Sequence, residues 1–140
     1  MENYVKMLRA PGAEWIQKAW VPKVGDAYYI LPTAFTKEYW PKAENKIGHI
    51  RTALLCTFLG CEYCYWKAPD AVLWLPRVED YLGMGNVTVE KLFLFCYNLH
   101  SQRYYKNGYI EQFQSSWPEL MLAFVQHEIK SSPWDGEGWR

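Results

Sequence analysis

Residues 71–84, AVLWLPRVEDYLGM, change from a strand pattern to a helix pattern within one short stretch. Residues 71–75 form an apolar run with β-branched and aromatic side chains, which is typical of a buried strand. Pro76 then stands at the start of a helix, and Glu79 and Asp80 lie in its first turns, where acidic side chains favour the helix dipole. The stretch therefore predicts a chain that is mainly strand before this point and mainly helix after it.

Segments of strand character precede residue 71. They are AYYIL at 27–31, IGHIRTALLCTFL at 47–59 and CEYCYWK at 61–67, and Gly60 is the predicted turn between the last two. Successive strands joined by short turns pair most economically as an antiparallel sheet. The fifteen residues 32–46, PTAFTKEYWPKAENK, read as a loop, and whether this loop forms a lid over the core is left open.

The helices are predicted from their ends. Thr88 is the predicted N-cap of TVEKLFLFCYNLHSQRYY. Ser116 and Glu119 have the spacing of a capping box at the start of SWPELMLAFVQHEIK, and Pro118 lies in its first turn. A further short helix is predicted over residues 13–20.

These patterns together predict an α+β fold. We expect a small antiparallel β-meander, over roughly residues 27–75, packed by two to three α-helices in the C-terminal half. A chain of 140 residues has the length of one ordinary domain, so residues 1–140 are assigned to a single domain. Residues 1–75 are predicted to be mainly strands and loops, and residues 76–140 mainly helices.

The helix after Thr88 has an apolar stripe at helical spacing. Its members are Val89, Leu92, Phe93, Cys96 and Leu99. Apolar side chains at positions 94, 95 and 97 widen the stripe. We therefore expect this helix to be buried on most sides or to meet another subunit.

Composition narrows the classes of function. Charged residues make up 21% of the chain and the formal net charge is zero, so the sequence lacks the basic character that phosphate contacts require and nucleic acid is disfavoured as a partner. No stretch has the length of a membrane span, and an intracellular, reducing compartment is the expectation. Eight Trp and eleven Tyr favour an aromatic ligand pocket or protein interface. Trp134 and Trp139 lie in the last ten residues, which predicts that this tail docks on the rest of the chain.

Three stretches resemble a group of viral proteins. WVPKVGDAYYI at 20–30, VLWLPRVEDYLGM at 72–84 and SWPELMLAFVQHEIKSSPWDGEGW at 116–139 are similar to small uncharacterised proteins of tailed bacteriophages and prophages of Gram-positive bacteria. The resemblance implies a phage accessory protein made in the host cytoplasm. Many such proteins counter host defence, either by blocking a host protein or by sequestering a signalling nucleotide. No catalytic motif comes with the resemblance.

The cysteines raise the question of a metal. Cys61 and Cys64 form a CxxC, and Cys96 and His100 lie four residues apart on one face of a predicted helix, so a zinc site is conceivable. Cys61 and Cys64 nevertheless fall on opposite faces of a straight strand, and no helix follows them as it does in redox pairs. We assign no metal, cofactor or catalytic residue, because the chain also lacks the motifs of known nucleophile and phosphate sites.

Binding is the remaining interpretation. Trp74 and Arg77 stand where a strand meets a helix, which suits an anion or a planar ligand. A second group combines an arginine with tyrosine rings near the end of the helix after Thr88, a composition found in protein hot spots and nucleotide clamps. Its members are Arg103, Tyr104, Tyr105 and Tyr109.

We therefore predict a non-enzymatic phage accessory protein that inhibits a host defence protein through an aromatic-rich surface. The alternative is a sponge for a small signalling nucleotide. A zinc-stabilised domain, or an enzyme of unassigned reaction, is the second alternative. The expected partner is a host protein or a small nucleotide in the host cytoplasm, with no membrane, and the question of a homo-oligomer is left open.

Overall fold

The computed structural model of this chain describes residues 1–50, 71–85, 87–100 and 116–140, and within them it has six helices and three strands. In chain order these are α1 (Glu2–Arg9), α2 (Glu14–Lys18), β1 (Ala27–Ile30), α3 (Ala34–Tyr39), β2 (Ile47–His49), β3 (Val72–Leu75), α4 (Val78–Leu82), α5 (Val89–His100) and α6 (Trp117–Lys130). The three strands form an antiparallel sheet, so the predicted α+β class is confirmed. The helices are not confined to the C-terminal half, since α1, α2 and α3 lie within the first forty residues.

The chain divides into two compact units. The first unit consists of Met1–Glu14 together with Pro76–Arg140, and the second unit consists of Trp15–Leu75. The second unit contains the sheet, and the first contains α1, α4, α5 and α6. No helix in the described part of the chain has the length and apolar character needed to cross a bilayer.

The sheet has the strand order β2-β1-β3, with β1 in the centre. Tyr28 of β1 lies opposite Gly48 on one side and opposite Trp74 on the other. A Cβ atom at Gly48 would lie 2.5 Å from Cζ of Tyr28, so the missing side chain is what lets the tyrosine ring lie on β2. Because β3 pairs with β1, the described strands depart from the sequential order of a meander. The predicted hairpin around Gly60 falls outside the described residues.

One face of the sheet forms the core of the second unit. Its buried residues are Tyr28, Ile30, Trp40, Ile50, Ala71 and Val72, with Trp20 and Ala43 packed against them. Trp40 reaches this core from the segment 32–46, which is not all loop. Thr33 accepts a hydrogen bond from the Thr36 backbone N–H at 3.2 Å and begins α3 with a capping box, a signal that the two prolines of the segment obscured.

The core of the first unit is built around α1 and α6. Tyr4, Met7 and Leu8 of α1 are buried, and the amide of Asn3 donates a hydrogen bond of 2.9 Å to the Glu119 carboxylate. The predicted capping box at the start of α6 is therefore wrong. Ser116 is the N-cap, but its side chain makes no capping bond. Glu119, the second member of the predicted box, is 5% exposed and accepts its hydrogen bond from Asn3 of α1. Helix α1 was not predicted, since its partners Glu119 and Trp139 are more than a hundred residues away in the chain.

The C-terminal tail docks on the first unit, as predicted. Trp134 is fully buried, and its ring centroid lies 4.9 Å from that of Trp139. The indole N–H of Trp139 donates a hydrogen bond of 2.9 Å to the carbonyl of Met7 in α1. Lys6 on the same helix forms an ion pair of 3.0 Å with Glu137. The tail is therefore an integral part of this unit.

Candidate interaction surface

Helix α5 begins at the predicted residue. The backbone N–H of Lys91 donates a hydrogen bond of 3.2 Å to the Thr88 hydroxyl, and the N–H of Leu92 bonds to the Thr88 carbonyl at 3.0 Å. Thr88 therefore acts as the N-cap and fixes the point at which the helical rotation starts.

The inner side of α5 is centred on Phe95. This ring is 1% exposed, and its centroid lies 5.4 Å from that of Phe124 and 5.3 Å from that of His127, both on α6. Asn98 is also buried, and Leu92 and Cys96 are half-buried. The inner side of α5 thus packs on α6.

The outer side of α5 is apolar and exposed. The exposed fractions are 75% for Val89, 77% for Phe93, 58% for Leu94 and 61% for Tyr97. Val89, Phe93 and Tyr97 are spaced four residues apart and so form one stripe along the helix, with Leu94 beside it. We call Val89, Glu90, Phe93, Leu94 and Tyr97 the outer α5 face.

The orientation of α5 differs from the predicted one. The predicted stripe includes Val89 and Phe93, but these are among the most exposed apolar residues of the described chain. Phe95, which the prediction treated only as widening the stripe, is the buried anchor. The helix has apolar residues around most of its circumference, so spacing alone could not decide which side faces inward.

The outer α5 face has almost no charge. Glu90 is its only charged residue, and no lysine or arginine belongs to it. An apolar face without cations cannot attract phosphate groups. Single exposed leucines are common on protein surfaces, but this face brings together four large apolar side chains. Contiguous exposed apolar side chains of this sort mark sites of contact with other molecules.

The binding residues predicted from the sequence differ in burial and in whether the structure describes them. Trp74 is 6% exposed, and its ring stacks on that of Trp20. Arg77 is exposed and is the N-cap of α4, where its Nε lies 3.5 Å from the carboxylate of Asp80. Arg103, Tyr104, Tyr105 and Tyr109 fall outside the described residues and remain a prediction.

The conceivable zinc ligands are only partly described. Cys61 and Cys64 fall outside the described residues. Cys96 is half-buried on the inner side of α5, and burial raises the pKa of its thiol, which disfavours the thiolate that a metal requires. Among the described residues, no cluster of three or more His, Cys, Asp or Glu side chains could bind a metal ion.

Comparisons of this chain with protein-family models, with curated proteins and with solved structures find no match.

Proposed function

We propose that this chain is a non-enzymatic binding protein that attaches to a second protein through the outer α5 face. The observation that supports the proposal is the exposure of Phe93 and Val89, at 77% and 75%, on a helix that has apolar side chains on both sides. Exposing large apolar side chains to water is unfavourable, and a partner surface relieves that cost.

The charge of the face specifies the chemistry of the partner. With Glu90 as its only ionised group, the outer α5 face has nothing to pair with a strongly acidic or basic surface. The partner we propose is therefore a protein with an apolar, weakly charged patch. The stripe from Val89 to Tyr97 is about 12 Å long, the size of a compact cluster of hot-spot residues.

The resemblance to phage proteins suggests where the partner comes from. An accessory protein of a phage acts in the host cell, so we propose a host defence protein as the partner and inhibition as the result of binding. The competing nucleotide-sponge prediction depends on Arg103, Tyr104, Tyr105 and Tyr109. Those residues are outside the described part of the chain, so no described contact favours that alternative.

Photo-crosslinking from the face is the direct test. A benzoylphenylalanine placed at position 93 should crosslink to one host protein in a Gram-positive extract, and the same probe at position 21 should not. Val21 is a suitable control because it is apolar and 80% exposed but lies outside the face. The partner is then purified, and its dissociation constant is measured with the native chain and with variants.

Substitutions on the face should weaken that complex without unfolding the chain. Phe93→Asp should weaken binding by roughly thirtyfold or more, as expected for a hot-spot aromatic ring, whereas Val21→Asp should leave it unchanged. Both positions are exposed, so the free energy of unfolding should change by no more than about 0.5 kcal/mol. Unchanged binding by Phe93→Asp, or crosslinks only between two copies of this chain, would overturn the proposal of a host partner.

A further inference from the structure

A buried carboxylate lies at the start of the central strand in the second unit. Asp26 is 1% exposed, and its Oδ2 accepts hydrogen bonds from the indole N–H of Trp20 at 2.8 Å and from the backbone N–H of Lys23 at 3.0 Å. Its other oxygen, Oδ1, is also buried, and no described residue donates a hydrogen bond to it. A carboxylate in this position lacks half of the partners that its burial requires.

A buried indole N–H nearby has the opposite deficiency. Trp74 is 6% exposed, and none of the described residues accepts a hydrogen bond from its Nε1. Its backbone N–H and carbonyl are both bonded to the side-chain amide of Gln17, at 2.8 Å and 3.1 Å, so its strand position is firmly fixed. The backbone of Trp74 is therefore fully paired, and only its indole N–H lacks an acceptor among the described residues.

Sheet register brings these two groups to the same face. Tyr28 lies opposite Trp74, and Asp26 is two residues before Tyr28, so both the carboxylate and the indole belong to the buried face. Diagonal neighbours of this kind have Cα atoms roughly 7–8 Å apart. The ring of Trp20 connects them, because it bonds to Asp26 and stacks on Trp74 with a centroid distance of 6.0 Å and an interplanar angle of 7°.

We propose that Asp26, Trp20 and Trp74 form a binding site for a small organic cation. The ammonium group of the ligand donates to Oδ1 of Asp26 and lies against the indole rings, whose π faces attract cations. Nε1 of Trp74 donates to an acceptor on the same molecule, such as the hydroxyl of an amino alcohol. Each of the two unpaired atoms thereby gains the partner it lacks.

The alternatives fit these groups less well. An anion would meet the Asp26 carboxylate at close range, and a neutral hydroxyl compound would leave the buried charge uncompensated. Trp20 is the member of the site that reaches solvent, since it is half-buried whereas Asp26 and Trp74 are buried. The ligand therefore approaches at Trp20. The site uses none of the residues of the outer α5 face, so the test of this inference and the test of the proposed function are independent.

Nuclear magnetic resonance of the indole N–H groups tests the site in the native chain. Ethanolamine is the probe, and ethylene glycol, which replaces the ammonium with a second hydroxyl, is the neutral control. Ethanolamine should shift the indole signals of Trp20 and Trp74 in a saturable manner, while ethylene glycol should not. The two signals are assigned from Trp20→Phe and Trp74→Phe.

Removing the charge of Asp26 should weaken the binding of ethanolamine. Asp26→Asn keeps the size of the side chain, and we expect the affinity for ethanolamine to fall by about tenfold or more, because charged hydrogen bonds are the stronger ones. Glu38→Gln is the matched control, since Glu38 is an exposed acid in the same unit. If Asp26→Asn fails to fold, the comparison of the two probes on the native chain still decides the matter.

Three results would overturn the inference. The first is no saturable shift of the Trp20 and Trp74 signals by ethanolamine. The second is an equal shift by ethylene glycol, which would show that charge is irrelevant. The third is undiminished affinity in Asp26→Asn.

Discussion

The paired tyrosines of the first unit can be understood by counting protons. The Tyr4 hydroxyl donates to the Pro76 carbonyl at 2.8 Å and is also hydrogen-bonded to the hydroxyl of Tyr81. Since each hydroxyl has one proton, Tyr81 must be the donor to Tyr4. Burial raises the pKa of both phenols above the ordinary value of 10.0, so both protons remain in place at physiological pH.

This order of donors predicts unequal costs for two similar substitutions. Tyr4→Phe leaves the Pro76 carbonyl and the Tyr81 hydroxyl unpaired, and should destabilise the chain by about 1–3 kcal/mol. Tyr81→Phe removes only the hydrogen bond that the Tyr4 hydroxyl accepts and leaves the bond from Tyr4 to the Pro76 carbonyl intact. It should therefore cost less, about 1 kcal/mol or below. Urea denaturation of the two variants measures the difference. Equal costs, or a greater cost for Tyr81→Phe, would mean that the donors run the other way.

At the scale of elements, β3 shows how a strand edge can be completed by a side chain. The described sheet places β1 on one side of β3, and the Gln17 amide bonds to the backbone N–H and carbonyl of Trp74 on the other. A primary amide can do this because it offers a donor and an acceptor in the spacing of a peptide group. At Trp74, the outward backbone groups of β3 are therefore not available to another strand.

Gln17→Glu should therefore loosen the edge of β3. The carboxylate still accepts from the Trp74 N–H, but it faces the Trp74 carbonyl without a proton to donate, and we expect a loss of about 1–3 kcal/mol. Faster amide hydrogen exchange at Trp74 would localise the effect. Gln17→Leu, which removes both bonds, is the companion variant, and exchange at Trp74 that is unchanged in both would contradict this role.

Elements with local signals were predictable, and the orientation of elements was not. Thr88 correctly marks the start of α5, and the apolar runs at 27–31 and 71–75 contain β1 and β3. Which side of α5 faces inward depends on the fit of Phe95 between Phe124 and His127, and that contact has no trace in local spacing. The outer α5 face was missed for this reason.

At the scale of the whole chain, the tail contributes a core residue to the first unit. Trp134→Ala removes a fully buried ring that lies against Trp139, and should destabilise the protein by about 3–5 kcal/mol. Trp117→Ala is the matched control, since Trp117 is 64% exposed and should cost far less. Thermal or urea unfolding measures both. Similar losses from the two variants would show that the tail is not part of the core.

The predicted fold class was right because composition and element patterns are properties of nearby residues. The partners of distant residues are a different matter. Asn3 bonds to Glu119 and Trp139 bonds to Met7, over separations of 116 and 132 residues. The residues around Asn3 and Met7 carry no local pattern that predicts these bonds. The site around Asp26 was missed for two reasons: residues 20–26 look like an ordinary turn in the sequence, and Trp74 is distant in the chain.

The first unit is built from two separate stretches of chain, which affects the order in which its parts can fold during synthesis on the ribosome. Helix α1 is synthesised more than a hundred residues before its partners Glu119 and Trp139. At roughly 5–20 residues per second, α1 waits roughly 6–26 s for them. During that interval Tyr4 can meet Pro76 and Tyr81, but the bonds of α1 to α6 and to the tail cannot form. The contiguous residues Trp15–Leu75 face no such delay, so the second unit should be folded before α1 has all of its partners.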